Sequence, residues 1–194
     1  MLFRSYRKKR KKAKKRVKIK ITYKTPVERK YYHPSHWARD VMRDLTPEEK
    51  IGQLFMVAAY SNRGAEHVEQ IANLIDKYHI GGLIFFQGGP VRQAKLTNYY
   101  QSISKVPLLI AIDGEWGVSM RLDSTIVYPK HMTLGAIQQD ELVYKLASRI
   151  AEECQRLGIQ VDFAPDLDIN SNPANPVIGF RSFGQDKNNV SAKG

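Results

Sequence analysis

Apolar residues along the chain follow two different spacings, which predict alternating strands and helices. Three continuous apolar runs have the length of buried strands, at residues 54–59, 83–86 and 107–112, and residues 159–164 (Ile-Gln-Val-Asp-Phe-Ala) are predicted as a fourth strand. Apolar positions three and four residues apart predict helices between them, over about 65–78, 91–104 and 140–157. Buried strands that alternate with amphipathic helices indicate an α/β fold in which helices cover a parallel sheet.

Two short helices are predicted before the first strand. Ordered structure should begin near His33 with a short amphipathic helix, marked by His36, Trp37, Val41, Met42 and Leu45. Residues 46–49 then read Thr-Pro-Glu-Glu, a capping box with Thr at the N-cap and Glu three residues later. We therefore place the globular domain at residues 31–194.

Two architectures fit this order of elements: an open doubly wound sheet and part of a (β/α)8 barrel. A dinucleotide-binding sheet requires Gly-x-Gly-x-x-Gly after its first strand, and residues 60–64 read Tyr-Ser-Asn-Arg-Gly instead. The sequence also has no Gly-x-x-x-x-Gly-Lys-Ser/Thr segment. Nucleotide binding is therefore disfavoured, and in either architecture ligands are expected at the carboxyl ends of the strands.

Charged residues follow the third and fourth strands at those carboxyl ends. Asp113 comes directly after the third strand, with Trp116 and Arg121 in the same loop, and Arg181 lies in the long segment after the fourth. Carboxylates and arginines bond sugar hydroxyls in pairs, and an indole ring packs on the apolar face of a sugar, so the pattern favours a carbohydrate site. Two alternatives stay open: Asp113 caps the next helix, or the arginines pair with loop acids.

Three other features of the sequence contain side chains that could bind a metal or react. Asp166 and Asp168 could share a metal ion, but no third acid or histidine lies near them in the sequence, so no metal site is predicted. Cys154 is the only cysteine, which excludes an internal disulfide, and its position at core spacing predicts a buried small side chain. The five histidines show neither metal-ligand spacing nor a serine or cysteine partner for a catalytic triad.

The excess of positive charge lies at one end of the chain. The 194 residues contain 31 Lys and Arg against 19 Asp and Glu, a net charge of +12. Residues 1–30 hold 15 of the basic residues and one acid, a net of +14, which leaves 16 against 18, or −2, for the rest. Dense like charge with little to bury predicts a disordered tail. Such a tail can bind nucleic acid or an anionic surface non-specifically.

Membrane and export signals are not evident in the sequence. No run of 18 apolar residues occurs, so no membrane span is predicted. The basic segment is not followed by the apolar stretch of roughly 7–15 residues that an intact secretory signal needs. Localisation is therefore left open.

Five motifs in a fixed order resemble one known family. They are Ile51-Gly52-Gln53-Leu54-Phe55-Met56, Gly81-Gly82-Leu83-Ile84-Phe85-Phe86, Ile112-Asp113-x-Glu115-x-Gly117, Phe163-Ala164-Pro165-x-Leu167-Asp168 and Asn175-Pro176-Val177-Ile178-x-x-Arg181-Ser182-Phe183-Gly184. With them, the segment from about Leu45 to Gly194 resembles the N-terminal half of the catalytic barrel of family 3 glycoside hydrolases, in the β-N-acetylglucosaminidase branch. The resemblance implies a (β/α)8 barrel, retaining hydrolysis of β-linked N-acetylglucosaminides or glucosides, and no cofactor.

The resemblance also implies roles for individual residues. Asp113 matches the acid that holds sugar hydroxyls at the nonreducing end, and Arg121 and Arg181 match two arginines that bind the same sugar. Asp168 matches a family aspartate taken as structural, whereas Asp166 stands where a small apolar residue is usual. The substrate-binding residues are therefore predicted to be Asp113, Arg121 and Arg181, around a hollow sized for one monosaccharide.

The family's nucleophile and acid/base are expected beyond Gly194, so no catalytic residue is assigned. Retaining hydrolysis needs both groups, one on each face of the sugar. We therefore expect these 194 residues alone to form an inactive, marginally stable half barrel with an unpaired edge on its last strand, whose partner would be the other half. The alternatives are a half barrel that binds sugars without cutting them and a tail-driven module for nucleic acid or anionic surfaces.

Overall fold

The computed structural model describes residues 35–194, so the predicted disordered tail at residues 1–30 lies outside the described residues. The described chain falls into two compact units: the first ends at Thr46, and the second spans Pro47–Gly194. In the first unit, helix α1 spans Ser35–Arg43, which confirms the short helix predicted there. Its Arg43 Nη2 lies 3.1 Å from Asp40 Oδ1 on the exposed surface.

The second unit is built on a four-stranded parallel sheet. Its strands are β1 (Met56–Ala59), β2 (Gly82–Phe85), β3 (Leu109–Ile112) and β4 (Val161–Asp162). Each strand pairs with the next one along the chain, in the order β1-β2-β3-β4. A doubly wound sheet reverses its strand order at a switch point, whereas a barrel adds strands in one direction. The observed order therefore favours the barrel over the open sheet.

Helices connect the strands and lie where the apolar spacing predicts most of them. They are α2 (Pro47–Gly52), α3 (Ala65–Tyr78), α4 (Pro90–Ile103), α5 (His131–Gly135), α6 (Asp140–Leu157) and α7 (Lys187–Lys193). Pro90 begins α4 at a position where its missing N–H costs nothing. Gly158 ends α6 in the left-handed region, at φ 74°. The short helices α5 and α7 were not predicted.

Three of the predicted strands were too long: β3 begins at Leu109 rather than at residue 107, and β1 and β4 are also shorter than predicted. Leu54 is 84% exposed and precedes β1, so the buried run begins two residues later than its apolar sequence suggests. The strand predicted over 159–164 is only Val161–Asp162 in the structure. At each end of this strand, a side-chain oxygen rather than a backbone oxygen accepts the hydrogen bond from a neighbouring backbone N–H. The Ile110 N–H donates to Gln160 Oε1 at 2.8 Å, and the Gly114 N–H donates to Asp162 Oδ1 at 2.9 Å.

The sheet packs one face against the helices to form the core. Leu83, Phe85, Ile110 and Ile112 are fully buried on that face. On the opposite face Leu109 is 44% exposed, as expected for a barrel interior that these four strands do not enclose. Cys154 is buried in the core, as predicted.

A second apolar cluster lies behind the segments that follow β3 and β4. Its buried members are Leu134, Val143, Phe183 and Val190, which join α5, α6 and α7. The segments that follow β3 and β4 are therefore packed against this cluster on one side.

None of the helices in residues 35–194 is both long and apolar enough to span a membrane.

Candidate active site

Asp113, the first residue after β3, forms an ion pair with Arg121. The Arg121 Nη2 contacts Asp113 Oδ2, and the Arg121 Nε donates to the backbone oxygen of Asp113 at 2.8 Å. The Asp113 side chain keeps 28% of its surface exposed. Its Oδ1 has no hydrogen-bond partner within residues 35–194. The pair therefore offers one fixed carboxylate oxygen to a ligand.

The loop after β2 holds Arg121 from the other side. The Gly88 N–H donates to the Arg121 backbone oxygen at 3.1 Å, and the Asp123 N–H donates to the Gly88 oxygen at 2.8 Å. The Arg121 guanidinium lies 4.8 Å from the centre of the Phe86 ring, close enough for a cation–π contact. The loop after β2 therefore holds the Arg121 backbone through a hydrogen bond and its guanidinium through the Phe86 ring.

Arg181 is held by two acids at the same edge of the sheet. Its Nε lies 2.9 Å from Glu115 Oε2, and its Nη2 lies 2.5 Å from Glu115 Oε1 and 3.4 Å from Asp166 Oδ2. The Glu115 hydrogen bonds raise the pKa of Arg181, burial lowers it, and the charges of Glu115, Asp166 and Asp113 raise it further. Arg181 is therefore a permanent cation within electrostatic range of Asp113.

A further acid, Asp162, lies at the end of β4. Burial raises the pKa of Asp162, the Gly114 N–H lowers it, and the charges of Asp113 and Glu115 raise it again. Three carboxylates thus crowd the carboxyl ends of β3 and β4. Arg121 and Arg181 pair with two of these carboxylates, Asp113 and Glu115.

His131 connects the two loops beneath the Arg181–Glu115 pair. Its Nδ1 lies 2.6 Å from the Arg181 backbone oxygen, and its Nε2 lies 2.6 Å from the Glu115 backbone oxygen. The ring stacks on Phe183, with centroids 4.5 Å apart. Sequence spacing gave no sign of this histidine's position.

Trp116 does not present a bare ring for sugar stacking. Lys130 Nζ lies 4.9 Å from the Trp116 ring centre and 3.6 Å from the Phe180 ring centre. The two rings meet edge to face at 6.1 Å. The side chains of Trp116, Lys130 and Phe180 therefore form one cluster next to the Arg181–Glu115 pair.

The Asp166-x-Asp168 pair is used for structure. Asp166 Oδ1 accepts from the Asp168 N–H at 2.9 Å, while Oδ2 faces Arg181. A hydrogen bond with Asp166 and the charge of Asp166 raise the pKa of Asp168. No group of three or more metal-binding side chains that could hold an ion occurs in residues 35–194.

The structure brings two of the predicted binding residues into direct contact, Asp113 and Arg121, and places Arg181 on the neighbouring acids Glu115 and Asp166. A cavity of about 430 Å³ adjoins them between α6 and the strand ends, lined by Glu115, His131 and Asp162 among others. None of the three predicted residues lines that cavity. The hollow shared by all three stays a prediction.

Residues 46–194 match the family described as the glycosyl hydrolase family 3 N terminal domain. The chain belongs to the family 3 glycoside hydrolases. Its parallel sheet is accordingly the first part of a TIM-type barrel.

Relatives within family 3 carry hexosaminidase and glucosidase names. The chain is 40% identical over 138 residues to β-hexosaminidase A of Pseudoalteromonas piscicida, and the matched region covers 64% of this chain and 23% of that relative. It is 31% identical over 158 residues to a β-N-acetylglucosaminidase/β-glucosidase of Cellulomonas fimi, which covers 81% of this chain and 27% of that relative. The chain therefore spans about a quarter of the length of these two curated relatives.

A solved family 3 structure shows the same fold at similar identity. The β-N-acetylglucosaminidase from Paenibacillus sp. str. FPU-7 is 41% identical, with a TM-score of 0.68 over 77% of this chain and 30% of that one. The β-glucoside phosphorylase BglX, bound to 2FGlc, is 24% identical with a TM-score of 0.75 over 81% of this chain and 28% of that one. The second likeness concerns the fold alone.

Proposed function

We propose that Asp113, Arg121 and Arg181 bind the nonreducing-end sugar of a β-linked N-acetylglucosaminide or glucoside for retaining hydrolysis. The observation that carries the proposal is the Asp113–Arg121 pair, which leaves Asp113 Oδ1 unoccupied within residues 35–194 at the carboxyl end of β3. The hexosaminidase and glucosidase names of the relatives support this substrate class.

The contacts around each residue explain why these groups suit sugar binding. Ionised groups make the stronger hydrogen bonds to hydroxyls, and their geometry is set before the ligand arrives. Arg121 is fixed by Gly88 and Phe86, and Arg181 is fixed by Glu115. These residues bind and orient the sugar. The nucleophile and the proton donor are proposed to come from parts of the family's barrel outside these 194 residues.

Titration calorimetry with N-acetylglucosamine and with glucose tests the proposal. Asp113→Asn keeps the shape of the side chain but removes the charge that bonds hydroxyls. Hydrogen bonds to charged groups contribute about 1.5–3 kcal/mol, so binding should weaken by about 10- to 100-fold. The tighter of the two sugars identifies the substrate class.

Asp76→Asn is the matched control, because Asp76 is an exposed acid on α3 remote from the carboxyl ends of the strands. This variant should bind both sugars with the affinity of the wild type. The proposal fails if Asp113→Asn binds both sugars as tightly as the wild type does. It also fails if the folded wild type binds neither sugar.

A further inference from the structure

His131 begins α5 and is only 2% exposed, although the proposed sugar contacts do not use it. We propose that His131 is a positioning residue for Arg181, tying the loop after β3 to the loop after β4 through both ring nitrogens. The inference rests on the proposed sugar contact of Arg181. It concerns how that contact is held in place.

The contacts of His131 close a ring around the Arg181–Glu115 pair. The side chains of Glu115 and Arg181 bond each other, and the histidine ring bridges the backbone oxygens of the same two residues at 2.6 Å each. Phe183 stacks on the ring at an interplanar angle of 22° and so fixes its plane. Two residues 66 positions apart in sequence are therefore joined twice, once by charge and once through His131.

Hydrogen-bond chemistry makes the second link depend on the protonation of the ring. Both acceptors are carbonyl oxygens, and a neutral imidazole carries only one N–H. The link is therefore complete in the imidazolium form, and the neutral ring loses one of its two bonds. The charged residues in contact with the ring are Glu115 from the loop after β3 and Arg181 from the loop after β4. Asp162 from β4 and Lys193 from α7 line the same cavity as His131, and Lys193 Nζ bonds Asp140.

Loss of this link should affect the sugar through geometry. Arg181 keeps its ion pair with Glu115 when His131 is removed, but the two backbones that carry the pair are no longer tied together. A displacement of about 1 Å in a binding group can cost about 100-fold in function. We expect the affinity for N-acetylglucosamine to fall by at least about tenfold.

The test compares the wild type with His131→Gln and His131→Leu. The glutamine amide donates from a single nitrogen, so it can keep at most one of the two bonds at any pH, whereas leucine keeps neither. His36→Gln, on exposed α1, is the control for the exchange of a histidine elsewhere. Three quantities are measured: the ¹⁵N NMR signals of the His131 ring, the solvent exchange rate of the Arg181 Nε proton, and calorimetric affinity for N-acetylglucosamine across pH.

We expect slow Arg181 Nε exchange in the wild type with a charged ring and at least tenfold faster exchange in His131→Leu at the same pH. His131→Gln, which keeps one bond, should exchange at an intermediate rate. Raising the pH until the ring signals report a neutral His131 should weaken sugar binding by the wild type but not by His131→Gln. The proposal is overturned if one nitrogen of the wild-type His131 ring is unprotonated while the slow Arg181 exchange and the affinity for N-acetylglucosamine both persist.

Equal Arg181 exchange in all variants overturns the proposal as well. If His131→Leu does not fold, the pH series on the wild-type ring and on Arg181 decides the question without it. If the exchange results hold but the wild type binds no sugar, the positioning role stands and the proposed function fails.

Discussion

Tyr128 fixes the segment between Asp113 and Arg121 through both its ring and its hydroxyl. A side chain on Gly117, which has φ 89°, would collide with the Tyr128 ring, so the two residues lie in close contact. The Tyr128 hydroxyl donates to Glu153 Oε1 on α6 at 2.7 Å. Burial, followed by this bond, raises the pKa of Tyr128 to about 12.

Tyr128→Phe should lower the free energy of unfolding by about 1–3 kcal/mol near pH 7, because Glu153 loses its donor. A raised tyrosine pKa gives stability that is present below the usual value of 10 and is lost as pH rises towards about 12. The difference between wild type and variant should therefore shrink between pH 10 and 12. Urea unfolding at pH 7 and pH 11 measures it.

Tyr144→Phe provides the control, because Tyr144 is an exposed tyrosine on the same helix as Glu153. Its unfolding curves should match those of the wild type at both pH values. A Tyr128→Phe curve that overlays the wild type at pH 7 would show that the bond to Glu153 contributes nothing to stability.

Sequence reasoning reached some residues of the candidate site and missed others. Asp113 could be singled out because it directly follows a clear apolar strand. Glu115 stands in the same motif, but nothing in the sequence indicates its partner 66 residues later. His131 gave no signal, since its partners are backbone oxygens and backbone contacts impose no residue spacing.

At the scale of elements, glycines set how closely neighbouring segments approach. Gly52 ends α2 against the end of α3, and a Cβ built on it would overlap the Tyr78 backbone oxygen. Gly64 precedes α3 with φ −73°, and nothing lies within 4 Å of where its Cβ would be. The two glycines thus offer a matched pair with opposite steric surroundings.

Gly52→Ala should destabilise the protein by about 1–3 kcal/mol, since backbone must move to admit the methyl group. For a domain of this size, that lowers Tm by about 2–4 °C per kcal/mol. Gly64→Ala moves no backbone and should cost only about 0.5–1 kcal/mol, because Ala is a poorer N-cap residue than Gly. Thermal unfolding followed by circular dichroism compares them, and equal Tm values for the two variants would refute the close approach of α2 and α3.

The ends of an element could be predicted where its amphipathic pattern was long. Helices α3, α4 and α6 carry long amphipathic patterns, and their observed ends lie within one residue of the predicted ones. Strand β4 was overestimated because Gln160 and Asp162 complete the ladder with side chains. The helix α5 has five residues, too few to show a period.

At the scale of the whole molecule, periodicity predicted a parallel sheet but not its strand order. An apolar run has the same sequence pattern in a barrel and in a doubly wound sheet. The order β1-β2-β3-β4 and the match over residues 46–194 settle the question in favour of the barrel. The ordered motifs carried this information, because each one places particular groups at a strand end.

Charge is divided unevenly over the whole chain, and this division predicts its behaviour towards polyanions. Residues 1–30 carry +14 and the remainder −2, so retention on heparin should depend on residues 1–30 alone. Retention should fall steeply with salt, because each neutralised anion releases a counterion. Deleting residues 1–30 should abolish it, and replacing Arg7–Lys20 with Gly and Ser at constant length should remove most of it. Undiminished retention after the deletion would place polyanion binding on the weakly acidic remainder, against its charge.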